Sequence, residues 1–597
     1  MKLSKIYSNQ SGYFNPIEFN EGLNVILGEI RLPENKDKDT HNLGKSKLME
    51  LIDYGLLKER KNTFFLFKHY ALFEGFVFFY EFKLNSGKYI TVRRSVSNNT
   101  KISIKRHEDK YQNFISLSED SHAWDFYDIA IDKAKLILDA EFNLKEISPW
   151  DYRAAVNYAL RNQDDFSDIF KLSNFLGRHL YWKPYVGKVL GFNADNLKRN
   201  YELAFAIEKE KEILADLRAD LGGIIGDEEE VLSGLLEFKR KEASLLQEQL
   251  DTFNFNKADT DNIERLVSEI DEDIVELNRV KYYLSSNIRR LRGTVEERKV
   301  SFKVSPTKKL FEEAGVLFDG QLKKSYAELL EFNRKITVER KKYVKERLLK
   351  LERELYEVSA SLDELNEARS KRLVYLNTMG TFDKYKEVTS VLLAVKTEIN
   401  DIHRKLTLST KVGESEFKIE EDTRLQQEVK QKIKIDRDDV TKAKDGVYQS
   451  IKANFASFVE TVLDKNGFIS TKQNKEGNLE FYAGIMSDTG EQTSESDGHS
   501  YKKILCMGYD LAVNLAYGGS GFVRFIYHDG GLETLDERKK IAFLEYVRTI
   551  PELSGTQYIL TLIDTDLPKG VSLTEDEIVL TLHDDGPSGR LFKMPSW

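Results

Sequence analysis

The middle of the chain, residues 194–459, has the composition and spacing of long charged helices. One stretch carries apolar side chains every three or four residues, at Leu266, Ile270, Ile274 and Leu277. This period places the apolar side chains on one face of a helix, as in a coiled coil. Only 9 of the 597 residues are prolines, and 32% of all residues are charged. This composition favours long helices over a compact multidomain enzyme. Any globular fold must therefore be built from the two ends of the chain.

The predicted helices are interrupted at residues 304–321, VSPTKKLFEEAGVLFDGQ, which contain Pro306 and two glycines. Two helical arms on either side of one interruption predict an antiparallel hairpin, and an arm of about 100 residues could reach roughly 150 Å. A helical insert folded against the globular part is the alternative, because glycine breaks also allow helices to bend. The predicted domains are an N-terminal lobe (1–193), an outgoing arm (194–300), an apex (301–325), a returning arm (326–459) and a C-terminal lobe (460–597).

The N-terminal lobe contains half of a possible nucleotide site. The run EGLNVILG ends at Gly28 and suits a buried strand, and after a polar insertion comes HNLGKSKL. Its GKS matches the end of the Walker A pattern, in which a glycine turn and a helix N-terminus cradle phosphates. We expect Lys45 to reach the β- and γ-phosphates of ATP and Ser46 to hold Mg²⁺. The predicted nucleotide-binding residues here are Asn42, Gly44, Lys45, Ser46 and Lys47.

This match is incomplete, and a chance GKS is the alternative. Asp39 stands in place of the first glycine of the pattern, and the gap between the strand and the lysine is longer than usual.

The C-terminal lobe contains the other half. The apolar strand FVRFIY leads to Asp529, which predicts a Walker B carboxylate that acts in catalysis and holds Mg²⁺. Gly530 stands where the catalytic glutamate of ABC-type ATPases belongs, so Glu533 is the nearest acidic candidate for a general base. We therefore expect hydrolysis to be slow or absent. Asp536 has the spacing of a D-loop aspartate and completes the nucleotide contacts on this side.

Three further residues are candidates by position. Ser496 and Gly498 precede an amphipathic helix, where an ABC ATPase carries the signature that contacts the γ-phosphate on the opposite subunit. A plain turn with a helix cap is the alternative. Gln163, in a mostly helical stretch, is a candidate for the glutamine that touches Mg²⁺, and a solvated helix end is equally consistent with it.

Charge and cysteine content exclude several classes of protein. The net charge of −9 gives no global basic field for nucleic acid. A basic run at residues 334–350 could track phosphates, although a solvated helix face explains it more simply. The single Cys506 rules out disulfide frameworks and CxxC zinc sites. No apolar run is long enough to span a membrane, and the first residues lack a signal-peptide core. We therefore expect a cytoplasmic protein with no membrane partner.

These motifs resemble the SMC-like branch of the ABC ATPases, and in particular bacterial SMC-like proteins with short coiled coils. The resemblance rests on Asn42–Ser46, on His528–Gly530 and on the central segment Leu310–Lys335. It implies an α/β ABC-type ATPase head, with a mixed sheet and flanking helices, split by a long antiparallel coiled-coil hairpin. Members resemble the ATPase subunit of Lamassu-type and three-component anti-phage systems, in which the ATPase works with a small adaptor and an effector, often a nuclease.

The resemblance implies a DNA-sensing ATPase of an anti-phage complex, with two heads that form a homodimer around ATP and Mg²⁺. Its partners would be double-stranded DNA, a small adaptor and an effector that is often a nuclease. A DNA-repair or chromosome-organising SMC-like ATPase is the alternative, although the sequence has neither a zinc-hook CxxC nor a recognisable globular hinge. A third possibility is a structural coiled-coil protein with a head that binds no nucleotide. Neighbouring genes would distinguish these three classes.

Overall fold

A computed structural model describes residues 1–32, 43–175, 179–221, 229–253, 260–297, 345–370, 381–487, 489, 498–518, 521–533 and 535–595. These residues divide into two units. Unit 1 comprises Met1–Ala206 and Asp422–Trp597, and unit 2 comprises Ile207–Glu421. The predicted apex at 301–325 lies outside the described residues. The other predicted domain boundaries stay predictions.

The strands and helices are numbered here in chain order. The strands are β1 (Lys2–Ser8), β2 (Ile17–Glu18), β3 (Leu23–Glu29), β4 (Val77–Lys83), β5 (Tyr89–Ser95), β6 (Lys101–His107), β7 (Phe126–Ala130), β8 (Leu160–Arg161), β9 (Asn466–Gln473), β10 (Leu479–Met486), β11 (Phe525–His528), β12 (Gln557–Ile563) and β13 (Ile578–His583). The helices are α1 (Lys45–Gly55), α2 (Phe65–Lys68), α3 (Tyr70–Phe73), α4 (Ile131–Phe142), α5 (Tyr152–Ala159), α6 (His179–Val189), α7 (Ala194–Leu221), α8 (Glu229–Asp251), α9 (Thr260–Glu297), α10 (residues 345–370), α11 (Thr381–Lys442), α12 (Val447–Leu463), α13 (His499–Ala516) and α14 (Glu537–Ser554).

Unit 1 is built on a five-stranded parallel sheet in the order β13-β3-β12-β11-β8. Its central strands are apolar along nearly their whole length, and Val25, Ile26 and Tyr558 have no exposed surface. Strands covered on both faces read as continuous apolar runs, which explains why the sequence of β3 shows no alternation. Strands from both ends of the chain therefore share one sheet, and their carboxyl ends lie along one edge.

A second sheet of unit 1 is antiparallel, in the order β2-β1-β4-β5-β6-β7. The turn between β4 and β5 contains Asn85, Ser86 and Gly87. Gly87 has a φ of 88°, a left-handed conformation that glycine adopts without steric cost. β9 and β10 pair with each other as a separate hairpin. Among the described residues, parallel and antiparallel strands thus lie in separate sheets rather than in one mixed sheet.

The described part of unit 2 consists of helices, and the contacts of α7 and α8 with α11 are antiparallel. Arg218 of α7 forms an ion pair with Glu416 of α11. Further along, Lys239 of α8 lies 2.8 Å from Glu398 of α11. From the first of these pairs to the second, residue numbers rise from α7 to α8 and fall along α11, as in the predicted hairpin.

The chain then reverses. Tyr282 of α9 donates to Asp401 of α11 at 2.9 Å, and Arg404 donates to Ser286 at 3.2 Å. Residue numbers now rise together, so α9 runs parallel to α11 and opposite to α8. α9 also pairs antiparallel with α10. Ile274 of α9 packs near Leu362 of α10, and later in α9 Ile288 packs near the earlier Leu351. Within unit 2 the helices therefore fold back beside one another instead of forming one continuous pair of arms.

The predicted α/β class with a helical insertion agrees with these elements. The fold-back between α8 and α9 differs from a simple antiparallel hairpin, because α9 packs its apolar stripe against α10 and also contacts α11 through Tyr282 and Ser286. In the part of the chain that is described, no helix combines the length and the apolar character needed to cross a membrane.

Candidate functional site

The first half of the site is the entry to α1. Gly44 precedes the helix with a φ of 97°, a conformation that glycine tolerates and other residues rarely adopt. α1 packs inward through Leu48, Leu51 and Ile52, which are fully buried. The N-terminus of α1 thus remains at the carboxyl edge of the parallel sheet, where Ser46 is exposed. Free backbone N–H groups at such an end favour an anion.

Lys45 faces a group of acidic side chains. Burial lowers the pKa of Lys45, and the carboxylates of Glu533, Asp529, Asp566 and Asp564 act in the opposite direction. Those four acids follow the ends of β11 and β12. The structure therefore brings Lys45 next to the ends of β11 and β12, although these elements come from opposite ends of the chain.

Asp529 is held rigidly at the end of β11. It is 2% exposed, and its Oδ1 accepts a 2.6 Å hydrogen bond from the Thr561 hydroxyl of β12. The same hydroxyl accepts from the Gly530 N–H at 2.8 Å. Thr561 therefore fixes both the carboxylate and the turn that follows it. A threonine inside the apolar run QYILTLI was the only sequence signal of this role.

Gly530 and Glu533 lie side by side. Gly530 has a φ of 68°, and a Cβ atom at this position would lie 2.8 Å from Glu533 Oε1 and 2.8 Å from Gln163 Nε2. The Glu533 carboxylate therefore occupies the space beside the position that the glutamate of ABC-type ATPases would take. Burial raises the pKa of Glu533, and the cations Lys503 and Lys45 oppose this effect.

Gln163 reaches the same place from β8. This short strand pairs in parallel with β11, so its carboxyl end lies beside Asp529. Gln163 Nε2 donates to Glu533 Oε1 at 3.4 Å. The segment after β8 is a short 3₁₀ helix, Gln163–Ser167, capped by the Asn162 side chain.

A buried network fixes that segment against α13. Arg161 is fully buried and donates to both carboxylate oxygens of Asp510, at 2.7 and 3.0 Å. Its guanidinium also donates to the carbonyl oxygens of Asp165, Asp168 and Ile169. His528 contacts Asp510 at 3.0 Å and the Tyr558 hydroxyl at 2.6 Å. Sequence reasoning missed Arg161 and Asp510 as partners, because no local spacing connects residues on different elements.

Two predicted site residues are engaged elsewhere. Lys47 lies 2.6 Å from Glu50 and stands over the Phe65 ring. Asp536 is the N-cap of α14, accepts from the Lys539 N–H at 3.1 Å and pairs with the Lys539 ammonium at 2.7 Å. Neither contact leads to the group around Lys45.

The predicted signature segment is described only in part. Gly498 is exposed and precedes α13 in an extended conformation, with a φ of −61°. Asn42 and Ser496 lie outside the described residues.

The residues present fit Mg²⁺ in the company of phosphate. Asp529 and the exposed hydroxyl of Ser46 are oxygen ligands, and Mg²⁺ usually takes one or two protein ligands and completes its shell with water and phosphate oxygens. Among the described residues, no three His, Cys, Asp or Glu side chains form a metal site by themselves.

Comparison with known proteins gives one family match and similar solved structures. Residues 458–596 match a family described as "Uncharacterised protein conserved in bacteria (DUF2326)". No curated protein matches the sequence. The chain is similar to the Smc head domain with a coiled coil and joint from Pyrococcus yayanosii, at 14% identity and a TM-score of 0.34, over 94% of this chain and 92% of that chain. It is also similar to the Smc head domain with an extended coiled coil, bound to the C-terminal domain of ScpA, from Pyrococcus furiosus. There the identity is 10% and the TM-score 0.33, over 95% of this chain and 90% of that chain. The family match includes Asp529 and Glu533 and does not include Lys45.

Proposed function

We propose that unit 1 is an SMC-like ATPase head that binds Mg-ATP at the carboxyl edge of its parallel sheet. The observation that carries this proposal is the meeting of Lys45, Asp529, Glu533 and Gln163 at that edge. Ligands of open parallel sheets bind outside the carboxyl ends of the strands. A cation at a helix N-terminus opposite a rigid carboxylate suits a metal-bound polyphosphate.

Each residue has a separate task in this proposal. The Lys45 ammonium and the N–H groups of α1 would bind the phosphates. Ser46 and Asp529 would hold Mg²⁺, which when bound neutralises charge on the β- and γ-phosphate oxygens. Gln163 and Glu533 would orient a water molecule that faces the γ-phosphate.

The finer proposal is a DNA-sensing subunit of an anti-phage complex that controls an effector, often a nuclease, through ATP-dependent closure of two heads. The sequence resemblance supports it, together with the helical unit 2 inserted between the two halves of the head. Because the net charge is −9, we expect DNA contacts to be local, and DNA retention to weaken steeply with salt. Affinity purification at native expression levels, followed by mass spectrometry, would identify an adaptor and an effector. Recovery of chromosome-organising partners instead would favour the alternative function.

Nucleotide binding is tested by Lys45→Ala. We expect ATP affinity to fall at least about 30-fold, since removing one partner of a buried charged contact costs roughly 2–5 kcal/mol. The measurement is titration of a fluorescent ATP analogue in the presence of Mg²⁺. Lys133→Ala, at an exposed lysine of α4, is the matched control and should bind as the wild type does. Equal affinity in Lys45→Ala and wild type would contradict the proposed site.

A further inference from the structure

A buried lysine on α13 has no role in the function described so far. Lys503 is 4% exposed, and its ammonium donates to the Gly530 carbonyl oxygen at 2.7 Å. It lies 3.8 Å from Glu533 Oε2 and 5.4 Å from the centre of the Phe166 ring. Burying an ammonium group is unfavourable unless it is paired, so the buried position of Lys503 requires a structural or functional reason.

The position of Lys503 answers a problem created by Gly530. The turn at Gly530 carries no side chain, and Glu533 enters the vacated space from three residues further on. Glu533 lies among other acids. In addition to burial, repulsion from Asp529 and Asp566 raises the pKa of the Glu533 carboxyl, whereas attraction to Lys503 and Lys45 lowers it. Lys45 is the predicted phosphate ligand, so it would be engaged by nucleotide. Lys503 is then the cation left to hold Glu533 against repulsion from its acidic neighbours.

We propose that Lys503 is a positioning residue that holds Glu533 as the general base for ATP hydrolysis. The proposal rests on the proposed Mg-ATP site. Glu533 takes a proton from water while the water oxygen forms a bond to the γ-phosphorus. The bond between the γ-phosphorus and the bridging oxygen breaks, and its electron pair leaves with ADP. Lys503 touches neither water nor phosphate in this step and acts through the carboxylate and the Gly530 carbonyl.

This arrangement moves the base from the strand end to the following turn. A glutamate directly after Asp529 would be oriented by the strand itself. A glutamate at 533 depends on side-chain contacts, namely Lys503 on one oxygen and Gln163 on the other. We therefore expect hydrolysis to be sensitive to Lys503 while nucleotide binding is not.

The test measures ATP turnover and KM in the full-length chain, with Mg²⁺ and double-stranded DNA, for Lys503→Met and Lys503→Arg. Methionine keeps the length and packing of the buried stem and removes the charge. We expect Lys503→Met to lower kcat by up to about 100-fold with KM nearly unchanged, since a misplacement of about 1 Å can cost that much. Lys503→Arg should recover most of the lost rate. Lys502→Met, on the next residue of α13, is the matched control and should keep wild-type kcat.

A double-mutant cycle with Glu533→Gln shows whether Lys503 acts through Glu533. Glu533→Gln should lower kcat by about 10²–10⁴-fold, the usual contribution of a general base. If Lys503 only positions Glu533, adding Lys503→Met to Glu533→Gln should cost nothing more. Thermal unfolding of each variant separates loss of folding from loss of positioning.

Several outcomes would overturn the inference. Turnover of Lys503→Met equal to wild type, or losses that multiply in the double variant, would show that Lys503 does not act through Glu533. Turnover unaffected by Glu533→Gln, or absent in a wild type that binds Mg-ATP, would remove Glu533 as the base. A wild type that binds no ATP would instead contradict the proposed function, so the two failures are distinguishable.

Discussion

At the scale of single residues, the backbone turn at Gly530 separates this site from the pattern it resembles. A φ of 68° suits glycine, and a side chain there would displace Glu533 and Gln163. The missing glutamate and the left-handed turn are thus two aspects of one local arrangement. The expectation of slow or absent hydrolysis stays a prediction, and Glu533 provides a carboxylate beside the same place.

Gly530→Ala tests this arrangement. Its methyl group would meet the Glu533 carboxylate, so we expect lower turnover as well as a stability loss of about 1–2 kcal/mol from the left-handed backbone. Gly555→Ala is the matched control, because Gly555 has a φ of 64° and a Cβ there would meet nothing within 4 Å. Urea unfolding should show similar losses for both variants, and turnover should fall only in Gly530→Ala. Equal turnover in the two variants would mean that the space beside Gly530 does not matter for hydrolysis.

At the scale of elements, the chain reverses its direction between α8 and α9, and this reversal makes the described part of unit 2 a bundle of helices instead of one straight helix pair. The apolar stripe of α9 packs against α10, where Ile288 and Leu351 belong to one buried cluster. Tyr282 and Arg404 then join α9 to α11, where the Arg404 guanidinium also stands 5.0 Å from the centre of the Tyr282 ring. A helix with apolar and aromatic contacts on two sides is better buried in a bundle than in a two-stranded coil.

Cysteine cross-linking distinguishes the two arrangements. Lys396 of α11 donates to Gln247 of α8 at 3.4 Å. In a straight hairpin with this pairing, residues 282 and 401 would be separated by roughly 40 residues of helix, about 60 Å. In the fold-back their side chains are in hydrogen-bond contact. We therefore expect a short bis-maleimide reagent, which makes up for the lost length of the tyrosine side chain, to join Tyr282→Cys with Asp401→Cys, detected as a mobility shift on denaturing gels. Tyr283→Cys with Asp401→Cys is the control, since Tyr283 is 66% exposed and neighbours it on the helix. The buried Cys506 should not interfere. Absence of the 282–401 cross-link would favour the straight hairpin.

At the scale of the whole molecule, we expect the proposed site to be incomplete in one chain. In the proposed site, Lys45, Asp529 and Gln163 would all contact the nucleotide from the same chain. Of the two predicted signature residues, Ser496 lies outside the described residues and Gly498 directly precedes α13, whose N-terminus favours an anion. If they contact the γ-phosphate of a second chain, ATP joins two heads and ADP does not.

This expectation is tested by the oligomeric state. In Glu533→Gln, where ATP should persist, we expect Mg-ATP to convert monomers into dimers and ADP to leave monomers, as measured by mass photometry. Ser496→Arg places a bulky side chain in the junction and should prevent the dimer while leaving ATP affinity unchanged. A monomer at saturating ATP, or a dimer that forms equally well with Ser496→Arg, would rule out this mode of closure.

The sequence by itself determined the local elements and the motifs. Continuous apolar runs specified β3, β11 and β12, the period of three to four residues specified the long helices, and GKS and the aspartate after β11 marked the two half-sites. These signals depend on neighbours within a few residues, so they are readable without a fold. Only the tertiary structure decided that Lys503, Glu533 and Gln163 meet, that Arg161 and Asp510 pair inside the head, and that α9 doubles back. Those contacts join residues that lie from 30 to 370 positions apart in the chain, or they set the direction of a helix after a break. They depend on which surfaces are buried together, and no local spacing records that.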